Sequence, residues 1–341
     1  MSGGDASRGR RRPRLVEVAK LAGVSRMTVT RALHAPHKVA VETREKVERI
    51  ARKLGYTPDL TARGLTLQRT GLVGAVVPLL TNNLIAEIVQ GLSDTLAKNS
   101  FQLLIGATGF SARGEEAMVR AFLSRRVDAI YLTGITHTAE TVRMIGQAKI
   151  PCVEGGNLAR DPIDMAVGYS SREAAKTVTQ YLIGKGYGPL GYIGAWPQDN
   201  DRARDRRRGF TAACKEAGIA VDDSWCIETD LDLHAGSRAM ATLLERHPEV
   251  RAVFCSADTL AVGAMFEAQR RKLAIPKRIA IAGFDDLDIA SEVVPALTTL
   301  RVPRYEIGRR AGEMICERLA GHDVVRSVVD IGYSFVPRAT A

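Results

Sequence analysis

From Thr70 onward, short apolar runs alternate with amphipathic stretches, and this alternation limits the chain to very few folds. The runs LVGAVV (72–77), FQLLIG (101–106), VDAIYL (127–132), IPCVE (150–154), LGYIG (190–194), AVFC (252–255) and IAIAGF (279–284) read as strands. Stretches with helical periodicity cover 84–98, 114–124, 171–185, 202–217, 234–246, 258–272 and 304–320. A strand followed by a helix returns to pair in parallel, so repeated alternation implies parallel sheets with helices on both faces. Residues 71–341 are enough for two doubly wound parallel sheets with a cleft between them, an α/β core.

Charge separates the first fifth of the chain from this core. Residues 1–70 hold 16 Lys+Arg against 6 Asp+Glu, whereas residues 71–341 hold 32 of each, so the whole excess of +10 lies at the N-terminus. Such asymmetry points to a polyanion-binding module joined to a neutral one. A solvated basic tail accounts for RGRRRPR (8–14), but not for the patterned segment after it.

In LVEVAKLA (15–22), Leu15, Val18, Ala19 and Ala22 follow helical spacing, and Gly23 ends the helix as a C′ glycine does. Ser25 is an N-cap for a second helix, RMTVTRALH (26–34), with Val29 and Leu33 inward. A third helix over Thr43–Leu54 places Val47, Ile50, Ala51 and Leu54 on one face. Two short helices joined at a glycine turn and braced by a third form a helix-turn-helix. In that motif the second helix enters the major groove, so Arg26, Met27, Thr30 and Arg31 are expected at base edges. Arginine binds guanine bidentately, which makes Arg26 and Arg31 the sharpest candidates, with phosphate contact as the alternative. Met27 offers only apolar contact, while Ser25, Thr28, Thr43 and Arg44 suit phosphate.

Other function classes find little support. The apolar runs are far shorter than the roughly 18–20 residues that span a bilayer. The N-terminal MSGGDASRGRRRPR has no apolar h-region. Cys152, Cys214, Cys226, Cys255 and Cys316 are scattered and odd in number, which fits buried thiols in a reducing cytoplasm and neither a disulfide framework nor a zinc site. GATGF (106–110) imitates a dinucleotide loop, but it follows the second strand and lacks the third glycine. No G-x-S-x-G, Walker A or HExxH motif occurs, and the histidines show no ligand spacing. Neither an enzyme nor a cofactor is expected.

RLVEVAKLAGVSRMTVTRALHAPHKVAVETREKVERIARKLGYTPD (14–59) closely resembles the headpiece of the LacI–GalR family of bacterial repressors. The likeness continues through VPLLTNNLIAEIVQGL (77–92) and from Ser256 to Pro303. It implies a two-lobed core like that of periplasmic sugar-binding proteins. The expected divisions are a disordered basic tail (1–13), a headpiece (14–58), a hinge (59–70) and a core (71–341). Lobe 1 would take about 71–168 and 299–327, and lobe 2 about 169–298 and 328–338. In the family the hinge folds on operator and a leucine wedges into the minor groove. The matching residues are Leu65 and, beside it, Ala62, with Asp59 standing where the family has asparagine; the weak helix formers Gly64 and Thr66 fit a hinge that folds on DNA and equally a plain linker.

The resemblance also suggests effector residues. Arg206, three before Gly209-Phe210, matches an effector-binding arginine; Arg202 is a second candidate and the neighbouring arginines are expected to be solvated. Asp285 matches an acid that accepts hydrogen bonds from sugar hydroxyls. Ala257 stands where the family has asparagine, and Leu231 where it often has an aromatic residue; Trp196 could replace that residue or simply pack. RMTVTR, LTGITHTAETVRMI (132–145), IPCVE and DMAVGYSSREAA (164–175) resemble gluconate-operon repressors in particular. That likeness implies a sugar-acid effector, gluconate or a ketogluconate, approached by Arg206 and Asp285 from opposite lobes. Glu154 and the THT run at 136–138 would then lie near the pocket or a subunit interface. Leu84 and Ile85 open a helix that also carries Ile88, Val89, Leu92 and Leu96; it would lie partly at a dimer interface or simply pack on the sheet.

The reading is a cytoplasmic homodimeric repressor on a pseudo-palindromic DNA operator, controlled by a sugar acid. SFVPRATA at the C-terminus carries no heptads for a tetramer. The alternatives are a sugar receptor without DNA function, opposed by the basic headpiece, and the same regulator with a neutral sugar or an activating role.

Overall fold

The computed structural model describes residues 13–34, 38–56, 69–79, 83–196 and 198–341. The chain forms two compact units, residues 1–70 and 71–341.

In the first unit, α1 (Leu15–Ala22) ends at Gly23, whose φ of 67° is the left-handed conformation that glycine adopts without strain. The short turn leads to α2 (Arg26–His34), where the Ser25 hydroxyl accepts the Thr28 N–H at 3.0 Å, as an N-cap does. α3 (Val41–Leu54) begins two residues ahead of the expected start and closes at Gly55, also left-handed. Val18, Ala19, Ala22, Val29, Ala32, Val47 and Ala51 form the core of this unit, flanked by Leu15, Leu33, Ile50 and Leu54. The three-helix arrangement agrees with the periodicity of the sequence.

The second unit contains a six-stranded parallel sheet in the order β11-β5-β4-β3-β1-β2. Its strands are β1 (Leu72–Val77), β2 (Gln102–Ala107), β3 (Ala129–Thr133), β4 (Cys152–Asn157), β5 (Met165–Tyr169) and β11 (Val328–Asp330). A four-stranded parallel sheet, order β7-β6-β8-β9, comprises β6 (Leu190–Ala195), β7 (Cys226–Thr229), β8 (Ala252–Cys255) and β9 (Ala280–Ala282). A ribbon pairs β10 (Thr299–Arg301) with β12 (Ser334–Val336) antiparallel.

Helices α4 (Asn83–Lys98), α5 (Ala112–Ser124), α6 (Ala139–Ala148) and α12 (Arg304–Leu319) accompany the larger sheet. With the smaller one go α7 (Ser171–Gly184), α8 (Asp201–Glu216), α9 (Leu233–Arg246), α10 (Asp258–Arg270) and the short α11 (Asp288–Glu292).

The expected division of the lobes needs one correction. Residues 328–338 do not all belong to the second lobe: β11 extends the edge of the first sheet, with Val328 opposite Ala166 and Asp330 opposite Gly168. The main-chain groups on the outer edge of β5 require a partner, and β11 provides it.

α4 and α12 pack very closely. A side chain at Gly91 would strike the Tyr305 carbonyl, and one at Gly308 the Ile88 carbonyl. Ile88, Leu92 and Leu96 are therefore buried within the chain's own core, so helix packing, and not a subunit interface, accounts for them.

Candidate functional site

On the first unit, Arg26, Met27, Thr30 and Arg31 are exposed along α2. Met27 is 63% exposed, as Leu21 and Val41 are at 60% each, so its exposure alone does not mark an interface. Neither Arg26 nor Arg31 is held in an ion pair among the described residues. Thr30 turns its hydroxyl back onto the Arg26 carbonyl at 3.1 Å. Ser25 and Thr28 hydrogen-bond each other at the head of the helix, 2.9 Å apart. Thr43 and Arg44 are half-buried on the first turn of α3, where Arg44 Nε lies 3.7 Å from Glu48. The hinge candidates Ala62 and Leu65 lie outside the described residues.

In the second unit a cleft opens between the two sheets at the C-terminal ends of their strands, where parallel α/β sheets bind ligands. The first lobe contributes Ile85, Thr133, Tyr169 and Arg304; the second contributes Asn200, Arg202, Arg206, Leu231, Ser256 and Asp285. Five candidates from the sequence thus meet here: Ile85, Arg202, Arg206, Leu231 and Asp285.

Arg206 is the hub. Its Nη1 donates to the Ser256 carbonyl at 2.6 Å and its Nη2 to the Tyr169 hydroxyl at 2.9 Å. The same Nη2 lies 3.5 Å from Asp285 Oδ1, and the guanidinium rests on the Phe284 ring, 3.8 Å from its centroid. Asp285 has a φ of 112°, a rare conformation for a non-glycine residue that commonly marks functional sites. Its main-chain carbonyl accepts from Arg304 Nη1, and Arg304 Nη2 reaches Glu87 at 2.7 Å. Burial raises the Asp285 carboxyl to about 6, against the opposing pull of Arg206, Arg304 and Arg202.

Four buried polar atoms of residues lining this cleft have no hydrogen-bond partner among the described residues: Arg202 Nη1, Arg206 Nε, Arg304 Nε and Asp285 Oδ2. Such atoms are costly unless something is bound there. Three are donors on permanent cations and one is an acceptor on a carboxylate. Together they suit a ligand with both an anionic group and hydroxyls. The ion pair of Arg202 with Asp201, 3.5 Å away, leaves that donor without a hydrogen bond.

Several expectations are corrected. Arg206 (α8) and Asp285 (after β9) both come from the second lobe; Tyr169 and Arg304 reach them from the first. Glu154 does not line the cleft. Its Oε1 faces His137 Nε2 at 3.2 Å and its Oε2 accepts the Ile163 N–H at 2.6 Å. His137 Nδ1 faces Glu115 at 2.7 Å, so His137 closes a buried cluster within the first lobe, whereas Thr136 beside it accepts from Arg204 Nη2 of the second lobe at 3.2 Å. Trp196 does not replace the missing aromatic either: it is 53% exposed and donates its indole N–H to Asp230 at 3.1 Å. Nothing is described of the Leu84 side chain.

Tyr169, Ser256 and Arg304 were missed. Ser256 acts through its carbonyl, which no side-chain pattern reveals, and Tyr169 ends a strand that the sequence reading overlooked. Arg304 carried a weak signal, as the residue that opens an amphipathic helix just after a strand. Asp258, beside Ala257, is buried and accepts from the Thr299 hydroxyl at 2.5 Å and the Leu287 N–H at 2.7 Å. It anchors the loop that carries Asp285. Burial and the nearby Asp285 carboxylate hold it at about 8.

Comparisons with known proteins agree with both units. Residues 14–59 match the bacterial regulatory proteins of the lacI family, and residues 179–341 a periplasmic binding protein-like domain. The HTH-type transcriptional regulator GntR of Pseudomonas aeruginosa is 35% identical over 96% of this chain and 95% of its own. The Escherichia coli regulator of the same name is 32% identical over 96% and 98%. Among solved structures, a LacI family transcriptional regulator from Silicibacter pomeroyi superposes with a TM-score of 0.89 at 29% identity, over 96% of this chain and 99% of that one. The chain belongs to the LacI family of DNA-binding transcriptional regulators.

Proposed function

We propose that this regulator is a homodimeric repressor, acting in the cytoplasm, whose hold on a pseudo-palindromic operator is controlled by a small sugar acid of the gluconate or ketogluconate type. The observation that carries the effector class is the set of unpartnered atoms at the cleft. A carboxylate fits the free guanidinium donors of Arg202 and Arg206, and a hydroxyl fits Asp285 Oδ2. The lining supports an open or small polyol over a stacked ring. Leu231 offers no aromatic face, and Ala257 no amide. The motif likeness to gluconate-operon repressors points the same way.

A ligand moves operator affinity only through different affinities for two arrangements of the lobes. Tyr169 and Arg304 reach Arg206 and Asp285 from the other lobe, so a guest at these atoms would act on the contacts that join the lobes. On DNA, Arg26 and Arg31 would read bases, Met27 and Thr30 would add contacts, and Ser25, Thr28, Thr43 and Arg44 would hold phosphates. Leu65, with Ala62, would supply the minor-groove wedge.

The deciding experiment measures binding of the purified protein to its operator with and without gluconate, 2-ketogluconate and neutral glucose. Release by an acid but not by glucose supports the reading. Tighter binding of glucose than of any acid overturns the effector class and leaves the family membership standing.

A further inference from the structure

Of the arginines in DNDRARDRRRGF (199–210), the cleft uses Arg202 and Arg206. Arg208, on the other side of α8, lines a separate open groove of about 560 Å³. Its walls also hold Arg160 and Arg172, with Ser170 at the head of α7 and the apolar Leu158, Ala159 and Val328.

Arg160 and Arg172 are exposed and in no ion pair among the described residues, in a core where acids and bases are equal in number. The one acid lining the groove, Asp205, is already engaged. Its Oδ1 lies 3.3 Å from Arg208 Nη1 and its Oδ2 accepts from Asn157 Nδ2 at 2.8 Å. The Asn157 amide is engaged too, since Nδ2 also reaches Asp201 at 3.0 Å and Oδ1 accepts the Ser171 N–H at 3.2 Å. The Ser170 oxygen accepts the Glu173 N–H at 3.2 Å, which leaves its O–H free to donate.

Packing sets where two of the arginines leave the main chain. Gly209 abuts the Arg172 carbonyl so closely that any side chain there would collide with it. Arg172 and Arg208 are thereby held at one helix crossing. Three guanidinium groups, a free hydroxyl and an apolar wall surround a space with no uncommitted acid among its described residues.

We propose that this groove is a second ligand site, for a small phosphate-bearing metabolite. Guanidinium forks match the tetrahedral dianion of a phosphomonoester in both charge and geometry. Leu158, Ala159 and Val328 would cover its carbon skeleton. The site shares no residue with the lining of the central cleft, so it stands independently of the sugar-acid reading.

The test is calorimetry on the full chain at constant ionic strength, with glucose 6-phosphate as probe beside glucose and sulfate. Saturable binding of glucose 6-phosphate, absent with glucose, is expected. The paired substitution Arg160→Ala and Arg172→Ala should weaken it by about tenfold or more, since charge-assisted hydrogen bonds are lost. Arg160→Lys with Arg172→Lys, which keeps the charge but not the fork, should recover part of the affinity. Arg206→Ala should leave it unchanged. Absence of saturable binding overturns the proposal. So does sulfate binding as tightly as the ester, which would mean an adventitious ion only. Loss of binding in Arg206→Ala but not in the Arg160 and Arg172 pair would place the ester in the central cleft and also overturn it.

Discussion

The two units of this protein carry chemistry in opposite places. In the headpiece the candidates for base contact, Arg26, Met27, Thr30 and Arg31, are exposed, and small apolar residues such as Ala19, Ala22 and Val29 fill the interior. In the core they are buried: Arg206 is 9% exposed and Asp285 2%, and part of their hydrogen-bonding capacity is unused. A surface for a polyanion needs charge in water and a scaffold only large enough to present one helix. A pocket for a small polar guest needs charge held in a low-dielectric cleft, and therefore a large frame around it.

The bluntest way to break this contrast is to separate the units. Removal of residues 1–70 should reduce operator affinity by at least about 10³-fold, the usual margin between specific and non-specific DNA binding. Effector binding to the remaining core, followed by calorimetry, should persist. A truncated core that still finds the operator would show that the units do not divide the work.

A second way is to titrate the core. Both ring nitrogens of His137 face carboxylate oxygens, so the ring is held as an imidazolium between Glu115 and Glu154. Burial alone would lower its pKa. Hydrogen bonds to Glu115 and Glu154 outweigh that and bring it to about 9 from 6.5. A folded-state pKa above the unfolded value stabilises most below pH 6.5, and the gain fades as pH rises through 9. The loss is of the order of 3 kcal/mol. Trp196 and Trp225 both lie in the core, so denaturant midpoints read by tryptophan fluorescence report on this unit alone. The parent midpoint should fall between pH 6.5 and 9, and His137→Gln should make that fall shallower, leaving the part contributed by Asp258, which is held at about 8. Identical profiles for the two would remove His137 from the account.

The contrast also explains what could be read in advance. The headpiece was legible because its helices, its glycine turn and its charge are local. The long apolar strands of the core were legible too, whereas MAVGY (165–169) and CIET (226–229) escaped. Each is short, the first is broken by a glycine, and neither alternates clearly. AETVRMIGQA (139–148) was overlooked although Thr138 caps it, accepting from the Thr141 N–H at 3.0 Å. In the cleft, resemblance located Arg206 and Asp285 but not their contact, because which lobe a side chain serves depends on chain crossings far apart in sequence. Glu154 and Trp196 were misplaced for the same reason: His137 and Asp230, which hold them, are distant in the chain.

A single substitution in the cleft sharpens the comparison from the core side. Arg206→Ala removes charge-assisted hydrogen bonds from the ligand and from Tyr169 and Ser256. The expected cost to effector binding is about 1.5–3 kcal/mol, a ten- to hundredfold loss. Operator affinity in the absence of effector should shift by no more than the loss of the Arg206 to Tyr169 contact between the lobes allows, and gluconate should no longer change it. Calorimetry with gluconate and a DNA titration check the two halves separately. A variant that binds and releases like the parent would take Arg206 out of the site.

The finest distinction lies within the headpiece itself. Arg26 stands exposed at the head of α2, outside any described ion pair, whereas Arg44 is half-buried on α3 beside Glu48. A guanidinium free to fork onto a base edge discriminates between sequences by about 1–3 kcal/mol. One that meets only phosphate adds affinity on any sequence and steepens the salt dependence by about one unit of log–log slope. Arg26→Ala should therefore weaken operator binding and relax preference at one base pair per half-site, with little change on random DNA. Arg44→Ala should weaken operator and random DNA by similar factors and make the salt slope shallower. Titration of both variants on operator, single-base operator variants and random duplex, at two salt concentrations, separates the roles. If Arg26→Ala behaves as Arg44→Ala is expected to, Arg26 is a phosphate contact and base reading passes to Arg31.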